Sequence, residues 1–444
     1  MQTMKLLMSA YACEPDKGSE PGVGWRWALE TAALGHDVWV ITRANNEAAI
    51  TRGIAKQGMS KQGIPQQGTA QQTKLKNLHF IYYDLPAWAR WWKRGGHGVH
   101  LYYLLWQWGA FLSARKLHAT QAFDAVHHIT FGVTRHPSFM GRLGIPFIVG
   151  PLGGGERAPF ALRKYCSLGG NLKDALRDAV NALARLDPWV RQMYAQASLI
   201  LLKTPQSMEW LLPKYRNKAL CMLEIGVDER VMLSAQPTET PKRHQTLHVL
   251  YVGRFIYWKG MDLGLRAIAD LRKRGIPVRL TMIGQGPALH RWQTLAAHLK
   301  LANCVTWVPW MKQQDLLQAY QTFDVLLFPS MHDSSGNVAL EAMASGLPVI
   351  CLDLGGPAEL VNAHCGRVLP VNGLNADQVI EALADALAEL AIDPDLVLNL
   401  RAGSLQRVRD FAWHEVVGKV WAERGTGYQA IINHSKEDNA YVSA

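Results

Sequence analysis

Short apolar runs alternate with segments of helical spacing along this 444-residue chain. Examples of the runs are Lys5–Ala10, Asp37–Thr42 and Leu247–Val252. Continuous apolar runs of this length are typical of strands that are buried on both faces of a parallel sheet. Because helical segments separate them, the pattern predicts an α/β protein built from doubly wound parallel sheets.

The alternation occurs twice, and a polar, proline-bearing segment over 229–246 separates the two series. A chain of 444 residues is also too long for one ordinary core. We therefore predict two Rossmann-like domains that face one another across a cleft, the first over 1–228 and the second over 247–410, joined by a linker over 229–246.

Segment 56–73 interrupts the first series with repeated Gln and Gly and almost no large apolar side chains. Such a segment cannot bury enough surface to offset the entropy lost on ordering. It is predicted to be a mobile insertion.

Composition narrows the class of protein further. With 48% hydrophobic and 19% charged residues, the chain is expected to be globular, and its net charge of +11 favours anionic partners. Six cysteines without C-x-x-C spacing predict free thiols in a reducing cytoplasm. No run reaches 18 apolar residues, so we expect neither a membrane span nor secretion through a signal peptide.

A basic, tryptophan-rich stretch lies in the first domain, where no acidic residue occurs between Asp84 and Asp124. Basic residues mixed with tryptophan are typical of surfaces that contact anionic membranes, and we predict this contact for Trp88–Arg94. For 102–117 a core helix with one basic face is the simpler alternative. No RNA-binding motif accompanies the stretch, so nucleic acid is not an expected partner.

Two glycine pairs are tested as dinucleotide fingerprints, and both fail. Gly22 and Gly24 follow the first strand in a predicted βα loop, but the fingerprint needs Gly or Ala where Trp27 stands. A plain tight turn is the alternative for this pair. Gly284 and Gly286 lack both the third glycine and the acidic residue that holds a ribose.

The stretch from Phe328 to Glu359 carries the most specific signal. Its pattern predicts a buried strand, a polar loop, a helix and a second strand with its own loop. Backbone amides of Gly336, Asn337 and Val338 are expected to be unpaired donors at the helix N-terminus, where the helix dipole also favours an anion.

Two pairs of charged residues flank these predicted loops. Asp333 and Glu341 could accept hydrogen bonds from sugar hydroxyls, and the alternative is a helix-capping acid plus a solvated one. Arg254 and Lys259, at a strand end and a helix start, could hold a diphosphate, although ordinary surface cations show the same spacing.

Taken together, these motifs resemble the retaining GT-B glycosyltransferases of family 4. The resemblance rests on the acid-x7-Glu spacing of Asp333 and Glu341 and on the Gly-Arg-x4-Lys-Gly loop around Arg254 and Lys259. It extends over nearly the whole chain and is strongest over 247–369. The first acid is usually Glu in that family, so Asp333 is a departure that bears on the donor sugar.

The resemblance assigns roles to the residues of the second domain. Asp333 contacts the donor sugar in a catalytic position and Glu341 holds the nucleotide ribose. Arg254 and Lys259 bind the donor diphosphate with the amides of Gly336, Asn337 and Val338.

In the first domain the same resemblance implies a catalytic His127 that faces the donor cleft, and Gly22 and Gly24 that approach the donor diphosphate. The second position of the family's His-x-His is Ile129 here, and the neighbouring His128 is expected to matter less. Residues 411–444 are expected to form a helix that crosses back to the first domain, followed by a tail.

The resemblance implies a retaining transferase that moves a sugar from a UDP- or GDP-sugar to a glycan or lipid-linked acceptor, in bacterial surface polysaccharide synthesis. It implies a cytoplasmic location, peripheral on the membrane, without a cofactor or metal. The acidic pair Asp393 and Asp395 is accordingly interpreted as an inter-helix turn. Alternatives are an epimerase or phosphorylase on the same fold, or a non-catalytic basic module that binds membranes or polymers.

Overall fold

The structure, a computed structural model, describes residues 2–57, 75–90, 98–165, 167–228 and 245–431. The predicted mobile insertion, apart from its first two residues at the end of a helix, lies outside these ranges, as does most of the predicted linker. Residues 91–94 of the predicted membrane-contacting stretch lie outside them as well.

Within the described ranges the chain divides into two compact units. The amino-terminal unit comprises Met1–Gly155, Asn181–Glu224 and Trp413–Ala444, and the carboxyl-terminal unit comprises Glu156–Val180 and Ile225–Ala412. Sequence analysis predicted a boundary near residue 228 and a return to the first domain after residue 410, and Trp413–Ala444 does belong to the amino-terminal unit. It did not predict the excursion of 156–180 into the carboxyl-terminal unit, because this excursion has no linker composition at either end.

The amino-terminal unit is built on a parallel seven-stranded sheet of order β3-β2-β1-β4-β5-β6-β7. The strands are β1 Lys5–Ser9, β2 Asp37–Arg43, β3 Leu78–Tyr83, β4 Ala125–His128, β5 Phe147–Leu152, β6 Leu199–Leu202 and β7 Ala219–Cys221. The order reverses direction between β1 and β4, which makes the sheet doubly wound, as predicted.

Helices connect and cover these strands. They are α1 Ser19–Ala33, α2 Glu47–Gln57, α3 Ala87–Arg90, α4 Val99–Gln121, α6 Pro188–Gln196, α7 Pro205–Trp210 and, late in the chain, α15 Trp413–Trp421. Between α4 and α6 the chain also forms α5 Leu168–Ala184, most of which belongs to the carboxyl-terminal unit. Tyr103 and Trp106 of α4 are buried in the core, which confirms that 102–117 packs as a core helix. The division between units falls inside α5, after Val180.

The carboxyl-terminal unit contains a parallel six-stranded sheet of order β10-β9-β8-β11-β12-β13. The strands are β8 Leu247–Val252, β9 Val278–Ile283, β10 Val305–Val308, β11 Val325–Phe328, β12 Val349–Leu352 and β13 Gly366–Leu369. The helices are α8 Met261–Lys273, α9 Leu289–His298, α10 Gln313–Tyr320, α11 Asn337–Ala344, α12 Gly355–Leu360, α13 Ala376–Ile392 and α14 Pro394–Arg407.

Each unit has its own apolar core between sheet and helices. The inner strands β11 and β12 are buried along their whole length, as continuous Val, Leu, Ile and Phe runs require. Trp292 of α9 and Tyr251 of β8 are fully buried in the carboxyl-terminal core. No described helix is long and apolar enough to cross a membrane.

The loops that follow β8 and β11 approach one another at the backbone level. Gly260 ends the first loop with φ +71°, and a Cβ there would overlap the carbonyl oxygen of Pro329 in the second loop. The amide of Met331 also donates to the carbonyl oxygen of Trp258 at 2.8 Å. These contacts fix the two loops against each other without any charged side chain.

Gly260→Ala should therefore destabilise the carboxyl-terminal unit much more than a matched substitution. Gly275 is the control, because its φ is +77° but no atom lies within 4 Å of an added Cβ. We expect Gly275→Ala to cost about 1–2 kcal/mol for the left-handed conformation alone, and Gly260→Ala at least about 2 kcal/mol more because the backbones must separate. Urea unfolding followed by circular dichroism measures both, and equal costs would contradict the close approach.

Candidate active site

Three neighbouring strand ends form the site in the carboxyl-terminal unit. β8, β11 and β12 lie side by side in parallel, with Leu326 paired to both Leu250 and Val349. The sheet order reverses between β8 and β11, and open α/β sheets bind ligands at the carboxyl ends of strands at such a reversal. The loops that begin at Gly253, Pro329 and Asp353 therefore share one edge of the sheet, as the sequence predicts.

Arg254 stands at the beginning of the first loop with its side chain exposed. Within the described residues, no acceptor bonds its guanidinium, whereas its carbonyl oxygen accepts a hydrogen bond from Ile256 at 3.0 Å. The hydrogen bond fixes the backbone of Arg254, and no carboxylate of the described residues neutralises its guanidinium. The guanidinium is therefore available to an anionic ligand.

Lys259, at the other end of this loop, forms an ion pair with Asp333 of the second loop through Nζ and Oδ2. Both side chains are largely buried, with exposed fractions of 14% and 18%. The ammonium group also lies 4.7 Å from the centre of the Phe328 ring. Sequence analysis placed both residues in one site but did not anticipate that they neutralise each other.

The second carboxylate oxygen of Asp333 organises its own loop. Oδ1 accepts hydrogen bonds from the amides of Gly336 at 2.9 Å and Ser335 at 3.3 Å. The prediction that the Gly336 amide is an unpaired donor is therefore wrong, because the carboxylate three residues earlier occupies it. Asp333 thus also acts as the capping acid that sequence analysis kept as an alternative.

The amides of Asn337 and Val338 begin α11, where a helix has no internal acceptor for its first N–H groups. Among the residues that the structure describes, none accepts a hydrogen bond from either amide. Gly336 precedes them in the left-handed conformation, with φ +80°. Two donors and the positive end of the helix dipole therefore remain for an anion.

Glu341 lies one turn into α11, in a partly buried position. Burial raises the pKa of its carboxyl group, and a 3.3 Å hydrogen bond from Gln313 of α10 acts in the opposite direction. The carboxyl group stands close enough to Tyr320 to contribute to that residue's raised pKa. A desolvated carboxyl with one weak partner is suited to accept hydrogen bonds from a ligand's hydroxyl groups.

Gly22 and Gly24 do not lie in a loop, contrary to the sequence-based prediction. Helix α1 begins at Ser19, and both glycines are inside it. An added Cβ would overlap the carbonyl oxygen of Lys17 at Gly22 and that of Ala12 at Gly24. Their small size is explained by this close packing of the helix against the preceding chain, without any phosphate.

His127 is fully buried in β4, inside the amino-terminal unit. Its Nδ1 accepts a hydrogen bond from the indole N–H of Trp421 at 3.3 Å, so the proton lies on Nε2, which donates to the carbonyl oxygen of Gly150 at 2.8 Å. Neither ring nitrogen is left for a substrate. The predicted catalytic role is therefore corrected to a structural one, since the histidine connects β4 to β5 and to α15.

His128 points to the opposite face of β4, as successive strand residues do. Its Nε2 lies 3.1 Å from the Tyr103 hydroxyl and its Nδ1 lies 3.2 Å from that of Ser9. With only 3% of the residue exposed, it too is a buried partner of core residues in this structure.

Sequence analysis missed a buried carboxylate beside these loops. Asp174 of α5 is 2% exposed and lies in the carboxyl-terminal unit. Its Oδ1 accepts a hydrogen bond from the Tyr257 hydroxyl at 2.8 Å and stands 3.3 Å from Nε2 of His332. No local signal could have found it, because it lies in an ordinary amphipathic helix more than 80 residues before either partner.

No cluster of three or more metal-ligating side chains occurs among the described residues. Asp393 caps α14 by accepting hydrogen bonds from the amides of Asp395 and Leu396, both at 3.0 Å. This confirms the interpretation of the acidic pair as an inter-helix turn.

Comparisons with known proteins agree with the carboxyl-terminal geometry. Residues 234–404 match the family model described as glycosyl transferases group 1. A D-inositol 3-phosphate glycosyltransferase from Corynebacterium jeikeium is 28% identical over 52% of this chain and 59% of its own length. The chain spans about half the length of the curated relatives it matches.

Solved structures share the fold over most of the chain. WaaG, a glycosyltransferase involved in lipopolysaccharide biosynthesis, has a TM-score of 0.54 at 18% identity, covering 95% of this chain and all of its own. Anabaena HepE in complex with UDP has a TM-score of 0.55 at 13% identity, covering 94% of this chain and 98% of its own. At these identities the likeness establishes the fold, which is that of two-sheet α/β glycosyltransferases.

The two strand histidines predict a pH dependence of stability. Burial lowers the pKa of His127 to about 4, partly opposed by the bond to Gly150, and burial together with the His127 charge lowers that of His128 to about 3. In the unfolded chain a histidine has its ordinary pKa of about 6.5. The folded protein therefore binds fewer protons than the unfolded chain below this pH, so stability is complete above about pH 7 and falls as the pH drops toward 4.

We expect His127→Gln to flatten this dependence, because glutamine can keep the donor and the acceptor but does not titrate. Each histidine contributes up to about 1.4 kcal/mol per pH unit once the unfolded chain is protonated. Denaturant unfolding of both proteins at pH 8, 6 and 5 makes the comparison, with pH 8 as the internal control. Parallel slopes for the two proteins would show that His127 is protonated in the folded state.

Proposed function

We propose that this chain, whose residues 234–404 belong to the glycosyl transferases group 1 family, transfers a sugar from a nucleotide-sugar donor to an acceptor with retention of anomeric configuration. The observation that carries the proposal is a group at three adjacent strand ends: the Lys259–Asp333 pair, and the Arg254 guanidinium and the first amides of α11, which have no acceptor among the described residues. Retention is proposed from the acid-x7-Glu spacing, and the anomer of the product, read by NMR, tests it.

The donor diphosphate would replace Asp333 as the partner of Lys259. In the ligand-free protein Asp333 neutralises Lys259, and a diphosphate brings more negative charge to the ammonium group than one carboxylate does. Arg254 and the amides of Asn337 and Val338 supply the remaining donors. As the bond to the sugar breaks, charge develops on the β-phosphate, and these fixed donors would stabilise it in place of a metal ion.

Asp333 and Glu341 would then act at different ends of the donor. Asp333, released from Lys259, would accept hydrogen bonds from sugar hydroxyls. Glu341 would accept hydrogen bonds from the ribose. Asp333 precedes α11 and Glu341 lies one turn inside it, so the two carboxyl groups belong to different parts of one loop-and-helix unit.

For the nucleotide and the acceptor we propose candidates for testing. UDP is the first candidate, because a structural neighbour with the same fold is described in complex with UDP, and GDP is the second. For the acceptor we propose a glycan or lipid-linked intermediate of surface polysaccharide synthesis, in line with the lipopolysaccharide role of WaaG. Inositol phosphate belongs in the acceptor panel because the curated relative is named for it.

We further propose that the enzyme works in the cytoplasm at an anionic membrane surface. Trp88 is 78% exposed, and Leu101, Leu105 and Trp108 are exposed on one face of α4 at helical spacing. No acidic residue occurs in the sequence between Asp84 and Asp124. An exposed apolar face without acidic neighbours suits the interface of an anionic bilayer.

Removing either cation should weaken nucleotide binding without unfolding the unit. Arg254→Ala and Lys259→Ala each lose charge-assisted hydrogen bonds of roughly 1.5–3 kcal/mol, so the Kd for the diphosphate should rise tenfold or more. Arg279→Ala, which removes an exposed arginine from β9, is the control for net charge. Calorimetry with UDP, GDP and ADP in EDTA measures these affinities and also tests the absence of a metal.

The same titrations separate the alternatives. Asp333→Asn should spare the bare nucleotide and weaken only the nucleotide sugar, whereas Glu341→Gln should weaken both. A protein that binds no nucleotide in EDTA or with magnesium would be the non-catalytic module. A protein that binds a nucleotide sugar but converts it without any acceptor would be an epimerase.

Membrane contact predicts salt-sensitive sedimentation with anionic liposomes. Trp88→Ala should lower the bound fraction because an inserted indole is lost. Trp310→Ala is the control, since that indole is 70% exposed but belongs to the carboxyl-terminal unit. Equal binding by both variants would remove Trp88 from the proposed surface.

A further inference from the structure

Both loops of the proposed donor site contact one buried carboxylate that belongs to neither of them. Asp174 lies on the inner face of α5, in the excursion 156–180. Its Oδ1 accepts the Tyr257 hydroxyl at 2.8 Å and stands 3.3 Å from Nε2 of His332. Tyr257 is inside the loop that carries Arg254 and Lys259, and His332 directly precedes Asp333.

A second residue of α5 fixes the orientation of the His332 ring. Arg177, one turn after Asp174, donates a hydrogen bond to Nδ1 of His332 at 2.5 Å. An arginine can only donate, so Nδ1 is the acceptor and the ring proton lies on Nε2, toward Asp174. The imidazole, whose side chain is 4% exposed, is therefore held between a cation and a carboxylate on the same helix.

The carboxylate is charged despite its burial. Burial raises the pKa of Asp174, but the nearby His332 ring, the hydrogen bond from Tyr257 and the charge of Arg163, whose Nε lies 3.9 Å from Oδ2, outweigh it and hold the pKa below its usual value. A buried charge is strongly unfavourable unless polar partners satisfy it. The ionised Asp174 therefore favours the loop conformations that bring the Tyr257 hydroxyl and the His332 ring to it.

Packing supports the same arrangement. Gly170, one turn before Asp174, contacts the Tyr257 ring so closely that an added Cβ would lie 2.8 Å from Cδ2. The ring is thus held at its face by the helix and at its hydroxyl by the carboxylate. This places α5 directly against the diphosphate-binding loop.

We infer that Asp174 is a positioning residue of the donor site, which through Tyr257 and His332 holds the cationic loop and the Asp333 loop in register for the donor diphosphate. The inference rests on the proposed function, because it assigns the diphosphate to these loops. Asp174 touches neither donor nor acceptor in this role. It acts by keeping Arg254, Lys259 and Asp333 at fixed mutual distances.

Asp174→Asn tests the inference with Asp178→Asn as the matched control. Asp178 lies one turn further along α5 and accepts hydrogen bonds from Arg157 at 3.0 Å and Arg163 at 2.8 Å, and it bonds to none of the described residues of either loop. Arg163 also stands 3.9 Å from Asp174, so the control shares this arginine with Asp174 but not the contacts to Tyr257 and His332. The ligands are the nucleoside diphosphate that the wild-type protein binds, among UDP, GDP and ADP, and the corresponding monophosphate. Only the diphosphate carries the β-phosphate that both loops are proposed to hold.

Asp174→Asn should raise the Kd of the diphosphate about five- to tenfold and that of the monophosphate less than about twofold. Asp178→Asn should change neither. Amide hydrogen exchange of the ligand-free protein should quicken over 253–260 and 330–336 in Asp174→Asn only. Should Asp174→Asn fail to fold, Tyr257→Phe removes a single hydroxyl and is expected to show the same selectivity with a smaller change.

The outcomes separate the two proposals. If the wild-type protein binds a diphosphate and Asp174→Asn weakens both ligands equally, or neither, Asp174 is a stability residue and the inference fails while the proposed function stands. If the wild-type protein binds no nucleoside diphosphate, both proposals fail. Selective loss of the diphosphate together with faster exchange in both loops supports the positioning role.

Discussion

The ion pair between Lys259 and Asp333 is the interaction on which the geometry of the candidate site depends. Both charges are largely buried, so neither could remain there without the other or a ligand. The pair joins two loops that the backbone already holds together at Gly260 and Pro329. It therefore holds the two loops together with their charges paired, and among the described residues of these loops it leaves the exposed guanidinium of Arg254 without an acceptor.

Sequence patterns predicted the inner strands well and the edges poorly, for a physical reason. β8, β11 and β12 are buried on both faces and appear as continuous apolar runs. Of the four edge strands, β7 was predicted from its apolar run, whereas β3, β10 and β13 were not, because most of their residues are partly exposed. Burial on two faces, more than strand propensity, is what the pattern detects.

For the candidate site as well, local sequence patterns indicated some residues, whereas the role of others depends on contacts between distant parts of the chain. Arg254, Lys259, Asp333 and Glu341 could be proposed from the sequence because each pair lies within one loop and helix, with a spacing that resembles a known family's. The burial of His127 could not be predicted, because its hydrogen-bond donor Trp421 lies 294 residues away in the sequence. The sequence around a strand-end histidine does not indicate whether solvent or an indole contacts its ring. The structural role of His127 therefore becomes visible only in the folded structure.

The loops of the candidate site depend on bonds from the excursion 156–180, which lies far from them in the sequence. Its two ends continue into residues of the amino-terminal unit, while its middle supplies Asp174 and Arg177 to the loops of the donor site. A change that displaces α5 would break the bonds to Tyr257 and His332 together, since both end on side chains one turn apart. The loops that carry the cations of the proposed donor site are thus held, within the carboxyl-terminal unit, by a helix that precedes them by more than 80 residues in the sequence.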